Sequence, residues 1–179
     1  ENGQEYDLKF KTPTSSFQNF LGLIPSAYAG NLKDVKTTGD FTVAGFAKGI
    51  YSDKTVPKFN LAIASNNASF QYPNLPKSVQ NIVIDTKIIN ETGLLNDTYV
   101  NLDKLSFKID QDVFNAKANI RNISENPLVN AELKGIINLS NVSKAYPVKL
   151  SVPLSGVLNA DIVTKFDMKS VESNQYENM

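Results

Sequence analysis

The chain has 179 residues, enough for one domain with a sizeable core, and its 18 basic and 18 acidic residues cancel. The charges are scattered, and a nucleic-acid partner, which needs a basic stripe against phosphates, is not expected. With no His, Cys or Trp, the chain lacks the neutral-pH proton carrier, the thiolate nucleophile, Cys-ligated metals and disulfides; catalysis by Asp, Glu, Lys, Ser or Tyr stays open.

The dominant pattern along the chain has period two, the signature of strands with one buried face. Tyr6, Leu8 and Phe10 alternate with charged residues. Ser15-Ser16-Phe17-Gln18 then has capping-box spacing, with Ser15 as N-cap. Phe17, Phe20, Leu21, Ile24 and Tyr28 follow as one helical stripe, which predicts a short amphipathic helix over about 15–29 that Pro25 breaks or kinks. Thr12 to Leu32 carries no charge, yet its prolines, glycines and serines make it too polar for a membrane span. Lys9 and Lys11 ahead of Ala27-Tyr28-Ala29 invite a signal-peptide reading, but Gln18 and Asn19 interrupt the apolar run and a strand precedes it.

Phe41 and Val43 open a long strand to Tyr51, punctuated by Gly45 and Gly49. Phe59, Leu61 and Ile63 alternate up to Asn66-Asn67, which reads as a turn into Ser69-Phe70-Gln71-Tyr72. Ile82, Ile84 and Ile88-Ile89 mark another strand. Leu105, Phe107 and Ile109 lead through a hairpin turn at Gln111-Asp112 to Phe114, Ala116, Ala118 and Ile120. Val129 to Leu139 alternates again, and a short helix is expected from Ser140 to Ala145. Val148, Leu150 and Val152 predict a strand, as do Leu158, Ala160, Ile162, Thr164 and Phe166, before a weak helical stripe over about 168–179. Roughly eight to ten strands with short connections make this all-β with small helical additions, an antiparallel meander. The whole of 1–179 reads as a single β-rich segment of a longer protein, since it opens at Glu1 directly on a strand.

Gly45, Lys48 and Gly49 superficially resemble a phosphate loop, but no helix start follows and strand glycines at a bend fit better. Asp110 and Asp112 flank a turn and read as solvated carboxylates; no calcium-loop series occurs. Six Asn-x-Ser/Thr triplets, at Asn67, Asn90, Asn96, Asn122, Asn138 and Asn141, reflect a chain in which 21 residues are Asn. We therefore assign no catalytic, metal or cofactor residues and expect a protein that is not an enzyme. The informative feature is the apolar face, with Phe41, Val43, Leu61, Ile63, Ile82, Ile84, Phe107, Ile109, Ile120 and Leu133 as its candidates. Either it fills a closed sandwich core or it lines an open groove.

Several stretches resemble the AsmA family of Bacteroidetes-type bacteria. They are Asp7-Leu8-Lys9-Phe10-Lys11-Thr12-Pro13-Thr14-Ser15-Ser16-Phe17, Phe20-Leu21-Gly22-Leu23-Ile24-Pro25, Thr38 to Tyr51, and above all Phe70-Gln71-Tyr72-Pro73-Asn74-Leu75-Pro76-Lys77-Ser78-Val79. Leu133-Lys134-Gly135, Ile137-Asn138-Leu139 and Gln175-Tyr176-Glu177 fit the same pattern. The resemblance implies kinship with bridge-like lipid-transfer proteins: a periplasmic location, an inner-membrane anchor outside this segment, and a role in outer-membrane biogenesis and lipid transport. It implies phospholipid, the rest of the same chain and other envelope proteins as partners, and a curved sheet whose β groove shields acyl chains. It carries no catalytic residues.

Overall fold

The structure, a computed structural model, describes residues 3–21, 35–73, 75–141 and 154–173. It is all-β with small helical additions, built on one open antiparallel sheet. The strands are β1 (Gln4–Lys11), β2 (Ser15–Ser16), β3 (Lys36–Thr38), β4 (Asp40–Tyr51), β5 (Lys58–Gln71), β6 (Val79–Asn90), β7 (Tyr99–Ile109), β8 (Asp112–Arg121), β9 (Leu128–Asn138) and β10 (Val157–Asp167). Helix α1 (Phe17–Leu21) follows β2, and α2 (Met168–Glu172) closes the described chain. The order across the sheet is β1-β4-β5-β6-β7-β8-β9-β10, with β2 beside β4 and β3 beside β5. From β4 onward each strand of that order pairs with the next in sequence, which is the meander that the short connections predict.

Side chains supply the turns. Between β4 and β5, the Ser52 hydroxyl accepts from the Lys54 and Thr55 amides, both at 3.2 Å, and Thr55 donates to the Ile50 carbonyl. After β6, Asn90 holds the whole loop: its Oδ1 accepts from Gly93 N at 2.7 Å, and its Nδ2 donates to Leu94 O and Thr98 Oγ1. Those bonds explain how Asn90 can be 1 % exposed, because every polar atom it buries is paired. The β7–β8 hairpin turns at Asp110 and Gln111, with Asp110 at φ 57°, one residue earlier than expected. Asp167 caps α2, accepting from Ser170 N at 3.0 Å and from the Ser170 hydroxyl at 2.7 Å.

Six further sequence expectations need correction or limits. Asn66-Asn67 is not a turn: β5 runs straight through it, with one extra residue opposite β6 between the pairs Ser65↔Ile84 and Ala68↔Ile82. That is a β-bulge, a conformation that Asn tolerates as readily as a turn. Nor does Ser15 cap a helix. Ser15 and Ser16 pair with Phe41 and Asp40, the Ser15 hydroxyl donates to Pro13 O at 3.4 Å, and the amide of Phe17 is satisfied across the sheet by Gly39 O at 2.8 Å. Helix α1 is therefore short where it is described, and the remainder of the 15–29 prediction lies outside the described residues. So do the Val148–Val152 strand, nearly all of the Ser140–Ala145 helix, and the end of the C-terminal helix, which is described at Met168–Glu172.

Candidate functional site

Register fixes which residues share a face, because directly paired residues in a sheet project to the same side. One row runs Phe10–Gly45–Leu61–Ile88–Val100–Ile120–Val129–Phe166 from edge to edge. The next runs Val43–Ile63–Thr86–Leu102–Ala118–Ala131–Thr164. A third runs Ser65–Ile84–Leu105–Ala116–Leu133–Ile162. Ala68–Ile82, Phe70–Val79–Ile109 and Phe107–Phe114–Gly135 extend the same face. All ten candidate residues, Phe41, Val43, Leu61, Ile63, Ile82, Ile84, Phe107, Ile109, Ile120 and Leu133, fall on this one side.

Bulges in three neighbouring strands keep the face apolar. β5 gains a residue at 66–67, β6 at 80–81, where Asn81 sits at φ 51°, and β7 at 103–104. Each insertion resets the parity, so that Ser65 and Ala68, Val79 and Ile82, and Leu102 and Leu105 point the same way three residues apart. Without them a one-residue slip would turn Ile82 and Phe107 to the opposite side. Bulges also bend their strands and increase the twist.

Two of the polar side chains on the face are bonded to backbone carbonyls. Ser65 donates its hydroxyl to Asp40 O at 2.7 Å, and Thr86 donates to Asn101 O at 2.9 Å, so neither needs water. Phe114 stacks on Phe107 with ring centroids 5.0 Å apart. Its ring lies over Gly135, where a Cβ would come within 2.8 Å of Phe114 Cδ1, so the glycine makes room for the aromatic pair.

The main apolar cover of the face lies at one end among the described residues, while at the other the loop from Glu91 to Thr98 buries Asn90. Phe17, Val35, Ala68 and Ile82 form a buried cluster, with Phe70, Tyr72, Val79, Ile84, Leu105 and Phe107 packed against it. Farther along, Ile120 and Leu133 are half-buried, as is Ile109 beside Val79, and Leu8, Leu158 and Ile162 are exposed.

The opposite side carries the charged residues, interspersed with exposed hydrophobics such as Phe46, Ile136 and Val163. Lys48 donates to Asp7 at 2.8 Å, Lys87 to Asp103 at 2.9 Å and Lys134 to Asp161 at 3.0 Å. In each pair the hydrogen bond and charge of the carboxylate raise the lysine pKa above its ordinary value. Asn119 donates to Asn101 at 2.6 Å in the same layer. These pairs face water and contribute little to stability, but they mark this side as solvated. Asn101, Lys117, Asn119, Asn130, Glu132 and Lys165 help to line a shallow open depression of about 680 Å³ here. Sequence reasoning missed that depression, although Lys and Asn at every second position of β8 were a signal.

The remaining motifs find structural uses. Gly45 sits in mid-strand, where a Cβ would run into the Asn60 carbonyl oxygen, so it permits close approach of β5 and forms no phosphate loop. Asp112 is buried rather than solvated, and its Oδ1 accepts from Asn138 N at 3.1 Å; Asp110 pairs with Lys77 at 3.2 Å. Among the described residues no group of three or more acidic, His or Cys side chains could hold a metal ion, and no helix is long and apolar enough to cross a membrane. Comparison of the chain with protein-family models, curated proteins and solved structures found no match.

Proposed function

We propose that this chain is a non-catalytic segment of a periplasmic envelope protein that shields lipid acyl chains on its apolar sheet face, in the service of outer-membrane biogenesis. The observation that carries this reading is the continuity of that face: every strand from β1 to β10 on the sheet path contributes apolar side chains to it, while the other side holds the ion pairs. An acyl chain needs such a dry track, since each methylene kept from water is worth about 0.8 kcal/mol. The Ser65 and Thr86 hydroxyls support it, because both are bonded to backbone carbonyls within the sheet. Headgroups would stay in water and need no dedicated pocket. Phospholipid is the ligand this reading names, and the remainder of a longer anchored chain and other envelope proteins are its partners.

Native mass spectrometry with organic extraction of the chain expressed in bacteria tests it. Stoichiometric phospholipid is expected, and it should be lost in Ile84→Asp or Phe107→Asp. Because Ile84 and Phe107 pack against the buried cluster, Leu133→Asp and Ile162→Asp, farther along the face, should lose lipid while keeping the β-rich circular dichroism spectrum. A clean lipid-free mass would refute the reading.

The cluster around Phe17 favours a second reading, a structural or interaction module with a closed core and no ligand. That reading predicts the lipid-free mass together with slow hydrogen exchange along the whole of β5 to β9.

A further inference from the structure

Among the described residues the sheet ends on two edge strands, β1 and β10, and these match each other. Eight strands lie on the path between and including β1 and β10, all antiparallel, so the two edge strands run in opposite directions. A second copy set beside the first without turning it over therefore brings its β1 antiparallel to β10, with both apolar faces on the same side. Hydrogen-bond phase agrees as well. Ladder pairs alternate between bonded and non-bonded as a row crosses successive strands. Along the row from Phe10 to Phe166 there are seven such steps, an odd number, so Phe10 and Phe166 carry the same phase. Residues with outward amides then share one face on both edges.

Most natural edges are guarded by charge. β1 is, with Glu5, Asp7, Lys9 and Lys11 on its polar side. β10 is guarded weakly: Val163, at the middle of its polar side, is 77 % exposed, and Leu158 and Ile162 are exposed on the apolar side. We propose that β10 of one copy adds to β1 of a second copy, antiparallel, with Asp161 facing Lys9 and Lys165 facing Glu5. In this register Ile162 meets Leu8, Ala160 meets Phe10 and Thr164 meets Tyr6 on the apolar side. All eight residues of β1 find partners within β10. A shift by two residues one way sets Asp161 against Asp7. Two residues the other way pairs Asp161 with Lys11 and Lys165 with Asp7, but it sets Asp167 against Glu5 and leaves Gln4 opposite Met168, beyond the strand. Of the three, only the first register opposes unlike charges with no like-charge pair. The contact is head-to-tail and uses different surfaces on the two copies, so it repeats and lengthens the sheet. It stands on the edges alone and does not rest on the lipid reading.

The chain holds no Cys, which makes cross-linking a direct test. Leu8→Cys mixed with Ile162→Cys should form a disulfide-linked dimer whose yield rises with concentration, while either variant alone, or Leu8→Cys with Thr164→Cys, should not. In sedimentation velocity the unmodified chain should associate as concentration rises. Glu5→Lys should weaken that association roughly fivefold, the scale of one cross-strand charge pair, and adding Lys165→Glu should restore it. A chain that stays monomeric over the accessible concentration range overturns the proposal. So does dimerisation that ignores the charge reversal, or cross-linking within a single variant, since both would mean that copies meet through their faces or through like edges.

Discussion

Phe17 is 2 % exposed and sits at the centre of the buried cluster, although it belongs to a five-residue helix with little stability of its own. Phe17→Ala should therefore cost about 3–5 kcal/mol, the range for emptying a buried aromatic site, read as a fall in the urea midpoint at unchanged slope. Its place at the head of an apolar stripe was legible in the sequence; its partners Val35, Ala68 and Ile82 were not, because the sheet register alone brings them together. Asp167 illustrates the same limit. Hydrogen bonds from the Ser170 hydroxyl, Asn126 and the Ser170 amide lower its pKa from 3.8 to about 2. A carboxylate whose pKa is depressed on folding stabilises the protein fully above its unfolded value, and that contribution fades as pH falls from about 4 toward 2. Thermal melts should show Asp167→Ala below the unmodified protein at pH 6, with the gap narrowing by pH 2. A gap that is constant with pH would mean that the carboxylate charge plays no part in the cap.

At the level of elements, alternation made the strands readable and left their exceptions hidden. Each strand from β4 to β8 announces itself by residues such as Phe59, Leu61 and Ile63, and the apolar candidates fall on one side because period two is a property of the backbone itself. The bulges escaped because they are additions to a register, visible only when two strands are paired; Asn66-Asn67 satisfies the chemistry of a turn and of a bulge alike. Gly45 was legible as a bend but not as a contact. Its missing Cβ lets the Asn60 carbonyl lie against β4 in the middle of a ladder that fixes the β4–β5 register from Thr42 to Lys48. Gly45→Ala should consequently cost more than the roughly 1 kcal/mol of an average substitution, since backbone must shift on both strands. Denaturant unfolding checks this, and Gly156→Ala is the comparison, because a Cβ there meets nothing within 4 Å and the only conflict is its φ of 105°.

For the molecule as a whole, the two sides of the sheet impose opposite demands on neighbouring positions of one strand. On β9, Leu133 lies in the apolar row between Ala116 and Ile162, and Ile136 lies on the charged side, 57 % exposed, between Val113 and Asn159. The composition treats these two residues alike, and only the pairing separates them. Leu133→Asp should destabilise the chain by about 1–3 kcal/mol, because it sets a carboxylate among half-buried hydrocarbon without a hydrogen-bond partner. Ile136→Asp, into water already shared with Lys134 and Asp161, should stay within about 0.5 kcal/mol. Urea unfolding of the pair measures how differently the faces are solvated, independently of any ligand. If the two substitutions cost the same, the sheet is wet on both sides, and a dry track for acyl chains loses its physical basis. If Leu133→Asp alone is costly, bound lipid should widen the difference between the variants, since a ligand that covers the apolar row stabilises only the protein that still has one.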